Sequence, residues 1–366
     1  MDHKNSPISY KLISRDYGTL KLRMISSKHT LKGEPTEPPA VTTQHRRSAI
    51  RTTVIACLLV LATAHCMLSI FYTNYSFIDL AAYANGHERM PFQGRVLMSF
   101  VLRATQHSQA LLKLVPRFTE HVPALETFTV YKLTSLIAAL ISAIGLGAGL
   151  ALASRRLGLR RWWLAWSLLL IILYASYAAR YEQPLWYPYD IPHLAIFGLA
   201  TIFLFIDAPV AFLGAIMLDS LVRETAVFAI VLAFAMRWSQ RRWKTILVIA
   251  AVGWGVVMAA TRYIYRANRP VGLPRLEQLR YLLPWHWPQL FSVVAFLPIP
   301  VLLARRYLPA IHRRGLYAAC LLILATYYFA NWVETRAWIE WSTAFAIWAA
   351  LELSAAPLQP TTSTDR

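Results

Sequence analysis

Arg223 and Glu224 are opposite charges set side by side between two apolar runs, residues 208–218 and 226–236. At the centre of a membrane helix an Arg or Asp costs about 3 kcal/mol on insertion scales, so such residues face protein or a wet cavity rather than lipid. The two residue types suit complementary chemistry. An arginine fork grips phosphate oxygens bidentately and stays charged. A carboxylate can take the proton of an attacking hydroxyl. The same types recur between the other apolar runs: Asp79, Glu88, Arg89 and Arg95, then Asp190 with His193, then Glu334 and Arg336. Acids and arginines converging on an apolar cavity are what a reaction at a lipid-linked phosphate requires.

Each residue also has a plainer reading. Arg223 and Glu224 could form an ion pair that closes a helix bundle. Asp190 follows Tyr187, Pro188 and Tyr189 and could cap a helix. Glu334 and Arg336 could anchor a helix end at the interface. Asp79 is either a surface acid or a general base. His87 and Glu88 lack a third ligand at useful spacing, so a divalent metal is not supported and no cofactor is expected. No Gly-rich phosphate loop and no nucleophile elbow is present.

The scaffold that must place these residues is apolar. Of 366 residues, 57% are hydrophobic and 15% charged, against about a quarter charged in a soluble domain. Mean hydropathy is +0.42. The fold class expected is all-α, a polytopic transmembrane bundle of about eight full spans, near residues 50–71, 129–153, 162–179, 191–206, 246–262, 290–303, 316–329 and 338–353. The formal net charge of +19 falls mostly in short clusters between these runs, as topology signals do. Membrane and anionic lipid are the expected partners, and nucleic acid is not, since the loops carry no binding module. Cys57, Cys66 and Cys320 define neither a disulfide framework nor a metal site.

Residues 1–49 read as a disordered basic cytosolic tail, 50–355 as the transmembrane domain and 356–366 as a second disordered cytosolic tail. Arg46, Arg47 and Arg51 place the start of the first span in the cytosol. The first outer loop, 73–128, includes an amphipathic stretch over 94–114 of the kind that lies in the membrane interface. The second, 263–289, mixes aromatics with Arg266, Arg269, Arg275 and Arg280, cations suited to a headgroup or sugar phosphate. Parity sets the remaining feature. Asp207 and the cluster Arg237, Arg241, Arg242 and Lys244 both belong in the cytosol, and two spans of about 20 residues do not fit between them. Residues 208–236 are therefore expected to form a re-entrant hairpin of two short helices that breaks near 219–224; the alternative is one long crossing with the basic cluster outside. Irregular backbone at that depth is tolerated where protein or water surrounds it. The glycines at 145, 147 and 149 fit close helix packing.

Taken in order, Asp79, then Pro91-Phe92-Gln93-Gly94-Arg95-Val96-Leu97, then Tyr189-Asp190-Ile191-Pro192, Val222-Arg223-Glu224-Thr225 and Asn331-Trp332-Val333-Glu334-Thr335-Arg336 resemble a group of bacterial polytopic proteins similar to the C-type glycosyltransferase superfamily. That resemblance implies a polyprenyl-phosphate sugar donor used on the non-cytosolic face, and an acid in the first outer loop, here Asp79, as base. On it, Asp79 and Glu224 are the catalytic residues, with Glu224 orienting Arg223. Arg95, Asp190, Arg223, Arg266, Arg269, Glu334 and Arg336 would line the substrate cavity. A chain ending soon after its last span departs from those superfamily members that carry a soluble C-terminal domain. Two other functions fit the same residues: a transporter or flippase for an anionic lipid or small anion, and a non-catalytic partner in envelope assembly.

Overall fold

The computed structural model describes residues 41–121, 129–178, 185–269, 287–329 and 336–355. Backbone contacts divide the chain into two units, Met1–Ala49 and Ile50–Arg366. In the first, residues 41–49 are helical. The rest of this description concerns the second.

The chain is mostly helical. In order, α1 (Val41–Thr73), α2 (Leu80–Ala84), α3 (Val96–Thr105), α4 (Gln109–His121), α5 (Val130–Arg156) and α6 (Leu164–Leu173) lead to α7 (Asp190–Phe205). Then follow α8 (Pro209–Ser220), α9 (Ala226–Arg237), α10 (Arg241–Ile264), α11 (Trp287–Val293), α12 (Pro298–Leu303), α13 (Ala310–Phe329), α14 (Arg336–Ile339) and α15 (Ser342–Ala355). Among the described residues, three helical segments are long and apolar enough to cross a membrane: Ser48–Thr73, Val130–Arg156 and Arg241–Ile264. They match the expected first, second and fifth spans. The expected third, fourth and eighth coincide with shorter apolar helices. The expected sixth is broken between α11 and α12, where Ala295 and Phe296 adopt positive φ.

Helix α7 is the centre. It is apolar on all sides, and a helix of that kind has to be enclosed. It packs against α5, α8, α9 and α15, and Leu194, Phe197, Ala200 and Leu204 are buried in the main core. Small residues set the close approaches. A Cβ on Gly198 would lie 2.6 Å from Leu146 Cδ1 and from Thr343 Oγ1, and one on Gly147 would lie 2.0 Å from the Trp166 ring. Gly145, by contrast, faces open space. Only 17% of the apolar window of α10 is buried. Its Val248, Ile249, Val252 and Val256, like Leu58 and Leu61 of α1, point outward.

The stretch between α7 and α10 doubles back. Each of α8 and α9 has twelve residues, about 18 Å at 1.5 Å per residue. The break falls at 221–225. The two ends meet: Asp207, at positive φ before α8, faces Arg237 at the end of α9, with Oδ1 to Nη1 3.7 Å. Asp207 also accepts from Trp243 Nε1 at 2.7 Å and from Arg242. The basic cluster therefore lies at the same end as Asp207, as the charge pattern required.

At the opposite end of this hairpin the tip enters a second cluster. Val222 packs with Ile78, Tyr83, Phe92, Leu102 and Tyr189, and Leu97 N donates to Leu221 O at 3.0 Å. The stretch expected as one amphipathic helix over 94–114 is instead two helices, α3 and α4, separated by a turn at 106–108. One face of α3 is buried in this lobe through Val96, Met98, Ser99 and Leu102, and Phe100 on it is exposed. Tyr75 and Ser76 pair in parallel with Leu185 and Trp186, joining this lobe to the segment that precedes α7.

Candidate functional site

Two polar groups meet at the hairpin tip. The first centres on Arg95, which follows a short 3-10 turn at Phe92–Gly94. Its guanidinium donates to Glu224 through Nη2 to Oε1 at 2.7 Å and Nε to Oε2 at 3.3 Å. Nη1 donates to Tyr189 Oη at 2.7 Å, and the group sits 4.7 Å from the Tyr189 ring centroid, within cation–π range. Arg95 is buried, whereas the Glu224 side chain keeps 43% exposure. That exposed side faces a recess of about 130 Å³ lined by Met90, Pro91, Gly94, Glu224, Met258, Thr261 and Arg262. A carboxylate has about four lone-pair positions, so Glu224 can accept from a ligand while Arg95 holds it. The lobe around Arg95 is itself fixed: the buried Tyr83 phenol donates to Arg95 O, and burial pushes its pKa well above the usual phenol range, against the pull of the Arg95 charge.

The second group is wholly interior. His193 on α7 places Nδ1 2.7 Å from Asp219 Oδ1 at the end of α8, and Nε2 3.1 Å from Glu340 Oε1 in the turn before α15. Arg223 Nη1 lies 3.1 Å from the same Glu340 oxygen. Thr225 precedes α9, where a Thr commonly caps the helix. No capping bond is made, and the hydroxyl donates to Glu340 Oε1 at 2.9 Å. Asp219 and Glu340 are 0% exposed and His193 1%. Four separate segments thus supply two acids, one arginine and one imidazole to a place that water does not reach.

This arrangement changes the expected roles. Glu224 does not orient Arg223. The two side chains diverge, Glu224 to Arg95 and Arg223 to Glu340, and Arg223 turns inward, away from the recess. Asp190 is the first residue of α7, and its Oδ2 accepts from Tyr187 N at 3.2 Å, bracing the preceding turn rather than the helix end. Asp79 caps α2, its Oδ1 accepting from Ala81 N and Ala82 N at 2.8 and 3.1 Å. It is exposed and is not one of the recess-lining residues. Arg266 stacks over Tyr263 at 4.6 Å, and Arg269 contributes its carbonyl to Met90 N at 3.0 Å. Neither lines the recess, and the neighbouring Arg262 does. Arg336 opens α14. Glu334, Arg275 and Arg280 lie outside the described residues. Glu88 is committed within its own loop, to Asp79 N, Arg89 N and Arg89 Nε. No grouping of three His, Cys, Asp or Glu residues suited to a metal ion occurs among the described residues.

Sequence reading passed over Glu340 and used Asp219 only to mark a break. The signal was available: each is a lone acid in an apolar run, the same criterion that singled out Arg223. Comparison of the chain with family models, curated proteins and solved structures found no match. Fold and site together define a helical protein with helices of membrane-crossing length and apolarity, in which His193, Asp219, Arg223 and Glu340 contact one another in the interior.

Proposed function

We propose that the chain is a multi-pass enzyme of a bacterial inner membrane, N-terminus cytosolic, that moves a sugar from a polyprenyl-phosphate donor to a lipid or glycan acceptor on the non-cytosolic face. About eight crossings and a re-entrant α8–α9 hairpin place the recess beside Glu224 beneath the outer loops. The observation that carries this reading is the Glu224 carboxylate, gripped by Arg95 and presented to a recess that Arg262 shares. In the reaction an acceptor hydroxyl oxygen bonds to the anomeric carbon as its proton passes to the carboxylate acting as base, the bond from that carbon to the phosphate oxygen breaks, and the phosphate leaves with the electron pair. Arg262, which lines the recess, supplies a cation for the leaving phosphate. Arg95 keeps Glu224 ionised and oriented, which makes it a good hydroxyl acceptor and a weak base. Asp79, exposed beside Glu88 in the same lobe, is the base that the resemblance to the C-type glycosyltransferases implies.

The test compares Glu224→Gln and Asp79→Asn at equal membrane abundance. Loss of the positioned base is expected to lower turnover by about 10²–10⁴, read as the cell's glycan and glycolipid profile by mass spectrometry. The variant with the larger fall identifies the base. An unchanged profile in both removes the proposal.

A second reading, a transporter or flippase for an anionic lipid or small anion, draws on the buried charges of the hairpin, since intramembrane ionisable groups commonly mark transport pathways. Its gate would be Arg223 with Glu340 rather than Arg223 with Glu224. Movement of anionic lipid across reconstituted vesicles without bond cleavage would favour it.

A further inference from the structure

We infer that His193, Asp219 and Glu340 share one exchangeable proton, and that its presence locks the hairpin tip against α7. Geometry and charge counting carry the argument. The tip contributes Asp219, Arg223 and Thr225, and the fixed side contributes His193 from α7 and Glu340 from the turn before α15. Both imidazole nitrogens face carboxylate oxygens, at 2.7 and 3.1 Å. A ring carrying two protons donates to both; a ring carrying one leaves a lone pair against a carboxylate. With both acids ionised and Arg223 charged, one further proton brings the quartet to zero, and without it one negative charge stays in the interior. The next charges around Arg223 are Arg95, Glu224 and Asp190. Arg95 and Glu224 offset each other as a pair. The other groups against His193 are the Thr225 hydroxyl and the ring of Phe197.

The second observation is a set of buried atoms that make no hydrogen bond: Asp219 Oδ2, Glu340 Oε2 and Arg223 Nε. Buried polar atoms normally have partners, and these three adjoin the shared proton. Asp219 Oδ2 and Glu340 Oε2 are spare acceptors and Arg223 Nε a spare donor, so each acid keeps an oxygen free to carry the proton. Because protons are shared, the site titrates as a unit rather than residue by residue.

The locked tip binds one more proton than the released tip. Locking is therefore full at low pH and fades as pH rises through the titration of the cluster, up to tenfold per pH unit for one proton. The experiment is hydrogen exchange on the full-length chain in nanodiscs, read as protection of amides 218–228 relative to their intrinsic rates. Wild type is expected to lose at least about tenfold of that protection between roughly pH 6 and pH 9, while α5 stays constant. Glu340→Gln removes one negative charge and is expected to make tip protection independent of pH. Asp219→Asn, which likewise removes one negative charge beside His193, is the second variant, should the first not fold, with the same expectation. A pH-independent wild-type tip, or the wild-type pH dependence retained in either variant, overturns the inference. The readout needs no substrate, so it stands or falls separately from the proposed transferase activity.

Discussion

Breaking the Arg223–Glu340 contact one residue at a time should hurt far more than removing both. Glu340 is fully buried and its Oε1 receives Arg223, His193 and Thr225 at 3.1, 3.1 and 2.9 Å. Glu340→Met leaves the Arg223 guanidinium in the interior without its carboxylate, a change that costs about 3–5 kcal/mol in comparable buried pairs. Arg223→Met leaves Glu340 to His193 alone, with a similar expected loss. In Arg223→Met/Glu340→Met two unbranched apolar chains of comparable length replace the pair, and Asp219 still faces His193 at 2.7 Å. Replacing a whole buried pair by apolar residues is often neutral, so the double variant should lie within about 1–2 kcal/mol of wild type. The coupling energy from this cycle should then exceed about 2 kcal/mol. Equilibrium unfolding in mixed micelles, followed by tryptophan fluorescence, measures all four proteins. Additivity within about 0.5 kcal/mol would mean that Arg223 and Glu340 are not energetically joined, and the argument built on this contact would fail.

Other outcomes follow from single sites. Arg95→Lys cannot reproduce a fork that reaches both Glu224 oxygens and Tyr189, and should destabilise by about 1–3 kcal/mol, measured by the same unfolding assay. Gly147→Ala puts a methyl against the Trp166 ring, and the overpacking should cost about 1–3 kcal/mol, with a shift in tryptophan emission. Asp207 sits at φ 60°; Asp207→Asn tolerates that backbone, whereas Asp207→Val should lose about 1–3 kcal/mol more than Asn does. Cysteines replacing Arg241 and Arg306 should both be labelled from the cytosolic side in intact spheroplasts and inverted vesicles; opposite sides would refute the re-entrant hairpin.

The hairpin was legible because charge parity and helix length are properties of sequence alone. Two basic or acidic landmarks less than two spans apart leave few options, and Asp207 and Arg237 do meet. The pairings were not legible. Arg223 and Glu224 are neighbours in the chain, but residues one apart point in different directions, so adjacency misled. Glu224's partner lies 129 residues earlier and Thr225's 115 residues later, distances over which no local pattern speaks. The single helix expected over 94–114 is two, because the apolar periodicity runs on through the turn at 106–108 and gives no sign of the break.

The short parallel ladder between 75–76 and 185–186 acts as a counting rule. Strands that run side by side in one direction must start from the same surface, so wherever a bilayer lies, Thr73 and Leu185 share a face. Crossings between those two points can then be gained or lost only in even numbers. If α5 and α6 each cross that bilayer, excising α5 alone would strand the two partners on opposite faces, whereas excising both would leave them free to meet.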